Sequence, residues 1–261
     1  MGYETMEAAK DGARAALAEI LDGTRFAVIA GTEGATPVFP PVQSGPALAV
    51  MDASSREQAS AAISSFRASG GTAIGSRLDP AGTVFASVPE VTQRHAILLT
   101  DGENGEQPKV LDDAIKRATG YFQCDCRGAG TDWKVEELRR IATALLGTVD
   151  IIPSPAEMRE QFKAMMQTAM ARGVADAQLR VWAPQGARVM FVRQVAPTVE
   201  DLTDRRVEVN ALTGGYPTGA WGDESRDYHV AVRLPAKAVG RSSSPRGCRS
   251  PSAPTSRPGA R

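Results

Sequence analysis

Residue types that carry most enzyme chemistry are scarce in this 261-residue chain, which has three Cys and two His. Neither His95 nor His229 stands beside a nucleophile motif such as G-x-S-x-G. The phosphate-binding pattern G-x-x-x-x-G-K-S/T is absent, and no G-x-G-x-x-G follows a strand pattern. These absences favour a protein that is not an enzyme and leave a hydrolase as a remote alternative.

The few cysteines also argue against disulfides and zinc. Cys124 and Cys126 flank one residue in YFQCDCRG, a segment whose pattern is typical of a strand. Side chains two apart on a strand point the same way, and that geometry suits a disulfide poorly. Too few further Cys or His lie nearby to complete a zinc site. We therefore expect buried, reduced thiols in a cytoplasmic protein.

Features of membrane and nucleic-acid binding are missing as well. No apolar run approaches the roughly 18 residues of a membrane helix, and MGYETMEAAKDG lacks the basic and apolar regions of a signal peptide. The formal net charge is zero, which favours no general attraction to nucleic acid or anionic lipid. We expect the folded part to bind neither membrane nor nucleic acid.

The last segment, residues 240–261, has a different composition. Residues 241–261 contain five Arg and no acid, among Ser and Pro, which predicts a disordered tail. Three interpretations stay open: electrostatic binding of acidic partners or RNA, phosphorylation, or an out-of-frame stretch of a GC-rich gene.

Strand and helix patterns alternate up to residue 171. Apolar runs bounded by turn residues predict strands over 25–31, 46–52, 95–102, 121–127 and 148–152, with a short strand at Val38 and Phe39. Apolar residues at helical spacing predict helices over 4–22, from Ser54 to the GGTAIG loop (70–75), from that loop to Val88, over 108–119, from Asp132 to Leu145, and from Ser154 to Ala171. The alternation predicts an α/β fold, with a mostly parallel sheet and helices on both faces.

Three of these helices carry capping patterns. Ser54 with Glu57 fits a capping box, and Ser154 with Glu157 fits another around a Pro at the first helical position. Asp132 is predicted to cap the fifth helix, and Asp52 is predicted to be a turn or cap residue.

From Asp176 onward the sequence changes to alternating strand patterns without an evident helix. Residues 176–239 are therefore predicted to form an all-β, sandwich-like region. Within that region the Gly-rich and acidic stretch 216–228 is interpreted as a loop.

Two oxygen-bearing side chains follow the predicted strands of the α/β region. Thr72 lies in GGTAIG, and Asp101 ends the strand HAILLTDGEN. Ligands of open parallel sheets bind at the carboxyl ends of strands, and hydroxyl and carboxylate oxygens suit Mg²⁺. Taken singly, Thr72 also fits a turn and Asp101 a helix N-cap.

The strand RFAVIAG, the loop GGTAIG and the strand HAILLTDGEN together resemble a von Willebrand factor A domain, and residues 1–173 would form it. The segment GTDW, the later strands and APTVEDL are similar to bacterial proteins in which a β-sandwich follows this domain. In that family a metal-ion-dependent adhesion site combines D-x-S-x-S after the first strand, a Thr in a Gly-rich loop and an Asp ending the fourth strand. Thr72 and Asp101 match the second and third segments.

The first segment, D-x-S-x-S, does not occur in this sequence. The start MGYETMEAAK is similar to the family's first helix, which commonly follows that motif directly. The resemblance therefore implies that the motif and the first central strand are missing, through truncation or a start codon assigned downstream. We expect an incomplete metal site in which Thr72 and Asp101 bind Mg²⁺ weakly.

The resemblance implies a protein-interaction module, in which an Asp or Glu side chain of a partner completes the metal's coordination. The alternative is a structural remnant without its central strand, which would self-associate through exposed sheet edges.

Overall fold

The parallel strands of the α/β part form its central sheet. The computed structural model describes residues 3–31, 35–41, 48–67, 73–130 and 133–236. Its helices are α1 (Tyr3–Glu19), α2 (Ala53–Ser65), α3 (Gly75–Ala86), α4 (Pro108–Ala118), α5 (Val135–Ala144) and α6 (Met158–Met170). Its strands are β1 (Arg25–Phe26), β2 (Val28–Gly31), β3 (Ala35–Phe39), β4 (Ala49–Val50), β5 (His95–Thr100), β6 (Gln123–Ala129) and β7 (Val149–Ile152).

Strands β5, β6 and β7 form a parallel sheet in that order, with β6 in the middle. The strands β2 and β3 pair antiparallel, and β1 pairs antiparallel with β4. The predicted single strand over 25–31 is therefore wrong in one respect: it is interrupted at Ala27, and its two halves pair with different partners.

Helices cover both faces of the parallel sheet, as the alternation of elements predicts. Ala96 and Leu98 of β5 pack on one face, where the buried residues of α3, α4 and α5 include Leu78, Leu111, Ile115, Leu138 and Ile141. Ile97 and Leu99 pack on the other face, where the buried residues of α1 and α6 include Ala16, Phe162 and Met165. The period of two along β5 thus divides its apolar side chains between two cores.

The amphipathic spacing of the sequence explains these helices. In α4 the buried residues Leu111, Ala114, Ile115 and Ala118 lie three or four positions apart, which places them on one stripe. In α2 the buried residues Ala59 and Ile63 lie four positions apart, so they share one face of the helix.

Local capping differs from the sequence prediction at two helices. The cap of α2 is Asp52, which accepts a hydrogen bond from the Ser55 backbone while Ser55 Oγ accepts one from the Asp52 backbone; the predicted Ser54–Glu57 box is wrong. Ser154 donates its hydroxyl proton to Glu157 instead of capping the backbone, and a 3-10 turn over Pro155–Glu157 precedes α6. The residue before α5 is Lys134, and Asp132 lies outside the described residues.

The described residues up to Ala175, together with Ala220–Asp223, form one compact unit. The described residues of Asp176–Gly219 and those from Glu224 onward form another. The strands of this β-rich region are β8 (Val174–Trp182), β9 (Arg188–Ala196), β10 (Glu200–Asp201), β11 (Val207–Asn210), β12 (Thr213–Trp221) and β13 (Asp227–Arg233).

These strands form two three-stranded sheets, β10-β9-β13 and β11-β12-β8. Buried Val181, Val192, Leu202 and Tyr216 come from both sheets and share one core, so the predicted sandwich-like arrangement is observed. The predicted loop over 216–228 is wrong, because β12 extends to Trp221 and β13 begins at Asp227. The side chains of Arg206, just before β11, and of Gln178 on β8 lie over Gly214 and Gly215, so cross-strand pairing overrides the low strand propensity of these glycines.

Candidate binding site

Asp101 follows β5 directly, at the carboxyl end of the parallel sheet. Its side chain is half-buried. The hydroxyl of Thr100 donates to the Gly102 carbonyl at 3.0 Å and accepts the Gly102 N–H at 3.4 Å, which fixes the turn after the strand. The sequence prediction therefore places Asp101 correctly at a strand end, while Thr72 lies outside the described residues.

The loop after Asp101 is tied to the starts of two helices. Asn104 accepts the N–H of Ile74 through its Oδ1 at 2.9 Å, and Glu106 accepts the N–H of Ser76 at 3.2 Å. The Asn104 N–H donates to Glu137 at 3.1 Å. These contacts hold the loop in one position relative to α3 and α5.

Arg77 brings a positive charge to the same sheet end. Its guanidinium donates to the carbonyl of Gly31 at 2.9 Å, so it crosses the end of β2. Burial lowers the pKa of Arg77, while the nearby negative charges of Asp101 and Glu106 act in the opposite direction. A Cβ at residue 31 would overlap the Arg77 side chain, so a glycine is required for this crossing.

The described residues around Asp101 do not fit a preformed Mg²⁺ site. Among them, no group of three or more His, Cys, Asp or Glu side chains could hold a metal ion. Glu103 pairs with Lys134 at 2.8 Å, and Glu106 is held by Ser76. An octahedral ion needs several oxygen ligands, whereas the negative charge of Asp101 already interacts with the nearby positive charge of Arg77.

A cavity of about 790 Å³ extends along β5 from His95 to Asp101. All residues of β2 line it, and so do all residues of β5 together with Asp101. Helices α1, α3 and α6 supply much of the remaining wall, chiefly with apolar side chains; examples are Ala9, Ala13, Leu17, Leu78, Ala81, Phe162 and Met166. This volume lies within the range of ligand-binding pockets, roughly 300–1,000 Å³.

A buried ionic cluster lies at the opposite end of β5. Asp125 of β6 is 2.7 Å from His95 Nε2 and 3.3 Å from Arg172, and it accepts the N–H of Thr148 at 2.7 Å. Burial raises the pKa of Asp125, but the hydrogen bond from His95 and the charges of His95 and Arg172 outweigh it and hold that pKa well below its ordinary value. The cluster therefore joins β5, β6, the start of β7 and the end of α6 through one ionised carboxylate.

The cysteines beside Asp125 match the sequence prediction of buried free thiols. Cys124 and Cys126 are both buried and unbridged. The hydrogen bond with Cys126 and burial raise the pKa of the Cys124 thiol well above its ordinary value. A thiol in that state is a poor nucleophile, because the thiolate is the reactive form.

Sequence reasoning missed Arg77, Asp125 and Arg172. The signal for Asp125 was available, since a charged residue between two Cys inside a strand pattern requires a buried partner.

His229, the second histidine of the sequence, lies on β13 in register with Arg193.

Within the described part of the chain, no helix is both long enough and apolar enough to cross a bilayer.

Comparison with known proteins agrees with this architecture. A family model described as von Willebrand factor type A domain matches residues 2–151. A solved structure described as von Willebrand factor type A from Catenulispora acidiphila is 47% identical, with a TM-score of 0.87; the match covers 92% of this chain and 56% of that one.

Two further proteins are similar over smaller parts. The uncharacterized protein sll0103 of Synechocystis is 33% identical over 147 residues, which are 54% of this chain and 35% of that protein. Proximal thread matrix protein 1 from the mussel byssus, solved with a zinc-occupied metal-ion-dependent adhesion site, is 19% identical with a TM-score of 0.51, over 69% of this chain and 45% of that one; this likeness is one of fold alone. The chain thus spans about half of the first solved relative and about a third of the curated one.

Proposed function

Because this chain belongs to the von Willebrand factor A family, we propose that it is a protein-interaction module whose metal-ion site is incomplete. The observation that carries the proposal is the setting of Asp101 at the carboxyl end of β5, in a loop tied down by Asn104 and Glu106. A half-buried carboxylate on a fixed loop offers a partner a directional contact.

The incompleteness of the metal site rests on the neighbours of Asp101. Arg77 supplies the positive charge nearby, and Glu103 and Glu106 are engaged with Lys134 and Ser76. We therefore propose that Mg²⁺ binds weakly, with a Kd above about 1 mM, the weak end of oxygen-ligand sites in proteins. Thr72 remains a predicted ligand.

The proposal includes the absence of an enzymatic activity. His95 lines the cavity and has a carboxylate at hydrogen-bond distance, an arrangement that a hydrolase would also need. Its partner Asp125 is engaged with Arg172 and Thr148, however, and the raised pKa of the adjacent Cys124 disfavours a thiolate nucleophile. A structural ion cluster accounts for these contacts. The reduced thiols support a cytoplasmic location as part of the same proposal.

Two measurements test this function. In the first, Mg²⁺ is titrated into the full chain and into Asp101→Asn by calorimetry. We expect no saturable binding below about 1 mM in either protein. Tight binding that Asp101→Asn abolishes would contradict an incomplete site.

In the second, the immobilised chain captures proteins from extracts of cells that express it, with and without EDTA. Asp101→Lys should release at least one captured protein, whereas the matched control Asp204→Lys, on the β-rich region, should retain it. EDTA should have no effect. Equal retention by wild type and Asp101→Lys would remove Asp101 from the interaction.

A further inference from the structure

We propose that the outer face of the sheet β10-β9-β13 binds an extended acidic segment of a partner protein, in which two carboxylates contact two basic residue pairs on β9 and β13. This face belongs to the β-rich region and does not involve Asp101. The inference therefore goes beyond the proposed function, and the outcome of the Asp101 experiments leaves it unchanged.

The register of β9 and β13 decides which of their side chains share the outer face. Val192 is opposite Val230, and both pack in the core between the two sheets. Side chains alternate along a strand, so the next residues, Arg193 and His229, point away from that core. They are opposite each other and both are exposed. These two residues form the first basic pair.

A second basic pair lies farther along the same face. Arg188 is opposite Arg233, and it adjoins Val189, which packs against the core, so both arginines point outward. Phe191 and Ala231 are opposite each other between the two basic pairs. Four positions of β13 separate the pairs, which corresponds to about 13 Å along the strand. The face thus carries positive charge at two places with an apolar pair between them.

The second pair places two positive charges directly opposite each other. Like charges in that position destabilise an antiparallel strand pair. Arg188 and Arg233 are both exposed, and neither has an ion-pair partner in the part of the chain that the structure describes. A carboxylate from a partner would relieve this repulsion by contacting both guanidinium groups.

In the first pair, the Arg193 side chain is held in place. Its Cζ lies 5.0 Å from the ring centre of Phe191, and its Nε donates to Oδ2 of Asp201 at 2.8 Å. The two terminal nitrogens of Arg193 have no acceptor among the described residues. They can donate charge-assisted hydrogen bonds to a second carboxylate, and a side chain already held in place loses less conformational entropy on binding.

An extended acidic segment matches the spacing of these groups. Every second side chain of such a segment points the same way, so acids at its first and fifth positions would reach the two basic pairs. An apolar residue at its third position would then contact Phe191 and Ala231.

Other occupants fit this face less well. Nucleic acid bases stack on open aromatic rings, whereas Arg193 lies over the ring of Phe191. The carboxylate of Asp201 beside Arg193 would also repel a phosphate backbone. Residues 241–261 carry five Arg and no acid, so their charge opposes binding to this face.

The test uses the full chain near pH 7 and the peptide Ser-Glu-Ser-Leu-Ser-Glu-Ser. A matched peptide, Glu-Glu-Ser-Leu-Ser-Ser-Ser, has the same composition but adjacent acids. In nitrogen–proton spectra the first peptide should shift signals of β9 and β13, with a Kd about threefold or more below that of the matched peptide. Added salt should weaken its binding, because exposed charges are screened.

Variants test the contribution of the arginines. Arg188→Gln and Arg233→Gln should each weaken binding of the first peptide about threefold, and the double variant about tenfold, as expected for exposed ion pairs at separate side chains. Arg180→Gln, an exposed position on β8 of the other sheet, is the matched control and should bind like wild type.

Stability separates a binding role from a structural one. Because Arg233→Gln removes one of two opposed like charges, its urea midpoint should be no lower than that of wild type. A clearly lower midpoint would assign Arg233 a structural role and contradict the proposal.

Four results of the binding experiments would overturn the proposal. Two are equal affinity of the double variant and wild type for the first peptide, and a loss in Arg180→Gln as large as that in Arg233→Gln. The third is tighter, Arg233-dependent binding of a short single-stranded RNA at the same ionic strength, which would assign the face to nucleic acid. The fourth is self-association that the peptide reverses, measured by light scattering, which would identify a second copy of the chain as the occupant.

Discussion

Nε2 of His95 on β5 lies 2.7 Å from Oδ2 of Asp125 on β6, although the register pairs Asp125 with Ile97. The contact is therefore diagonal across two parallel strands. Arg172, just beyond α6, approaches the same Oδ2 at 3.3 Å, and its Nη1 is buried without a hydrogen-bond partner in the described part of the chain. Asp125 is therefore the carboxylate that His95 and Arg172 share.

Removal of this charge should destabilise the protein strongly. In Asp125→Asn the buried Arg172 loses its counter-charge, and an uncompensated buried charge costs about 3–5 kcal/mol. Urea unfolding followed by circular dichroism measures the change in the free energy of unfolding. The control Asp112→Asn breaks an exposed pair with Arg140 and should cost less than about 1 kcal/mol. Equal losses in both variants would show that the cluster contributes little to stability.

Stability should also fall in acid because of Asp125. Since its pKa is lower in the folded protein, the unfolded chain takes up this proton first as the pH falls. The contribution of Asp125 is complete well above about pH 3.9, the ordinary Asp value, and is lost as the pH falls below it toward the folded pKa.

Urea midpoints measured between pH 7 and pH 3 test this dependence. Wild type should lose more stability than Asp125→Asn over the acidic part of that range, because other carboxyl groups titrate in both proteins. Parallel curves for the two proteins would contradict a depressed pKa at Asp125.

Gly31→Ala should displace Arg77 without unfolding the protein. The added Cβ meets the flexible part of the Arg77 side chain, which can move at a cost of about 1 kcal/mol. The Nε–H signal of Arg77 in a nitrogen–proton spectrum should shift, and the free energy of unfolding should change little. Gly82→Ala, where a Cβ only reaches ordinary contact distance of Phe122, is the control. An unshifted Arg77 signal would place its side chain elsewhere.

Cys124 and Cys126 should resist alkylation in the native protein. Both are buried, and the raised pKa of Cys124 leaves it almost entirely protonated near neutral pH. Iodoacetamide followed by mass spectrometry of the 123–127 region should find modification in urea and little in buffer. Rapid modification of either thiol in a protein that remains folded would show that β6 is more accessible than its burial indicates.

Part of the candidate site could be predicted from the sequence and part could not. Asp101 was predictable because an apolar run that ends in Asp-Gly marks the end of a strand. Arg77 was not, because α3 gives no local sign that one of its side chains crosses β2. His95 and Asp125 are 30 residues apart, and their contact depends on the parallel pairing of two strands.

The same division holds for the fold. Apolar periodicity within single segments determined most elements, such as α4 and β5, because their residues bury one stripe or alternate between two cores. Only the tertiary structure decided the interruption at Ala27 and the extension of β12 over Gly214 and Gly215, since strand pairing supplies the hydrogen bonds that local propensity does not specify. It also decided that β2 and β5 line one cavity, because distant segments create that space together.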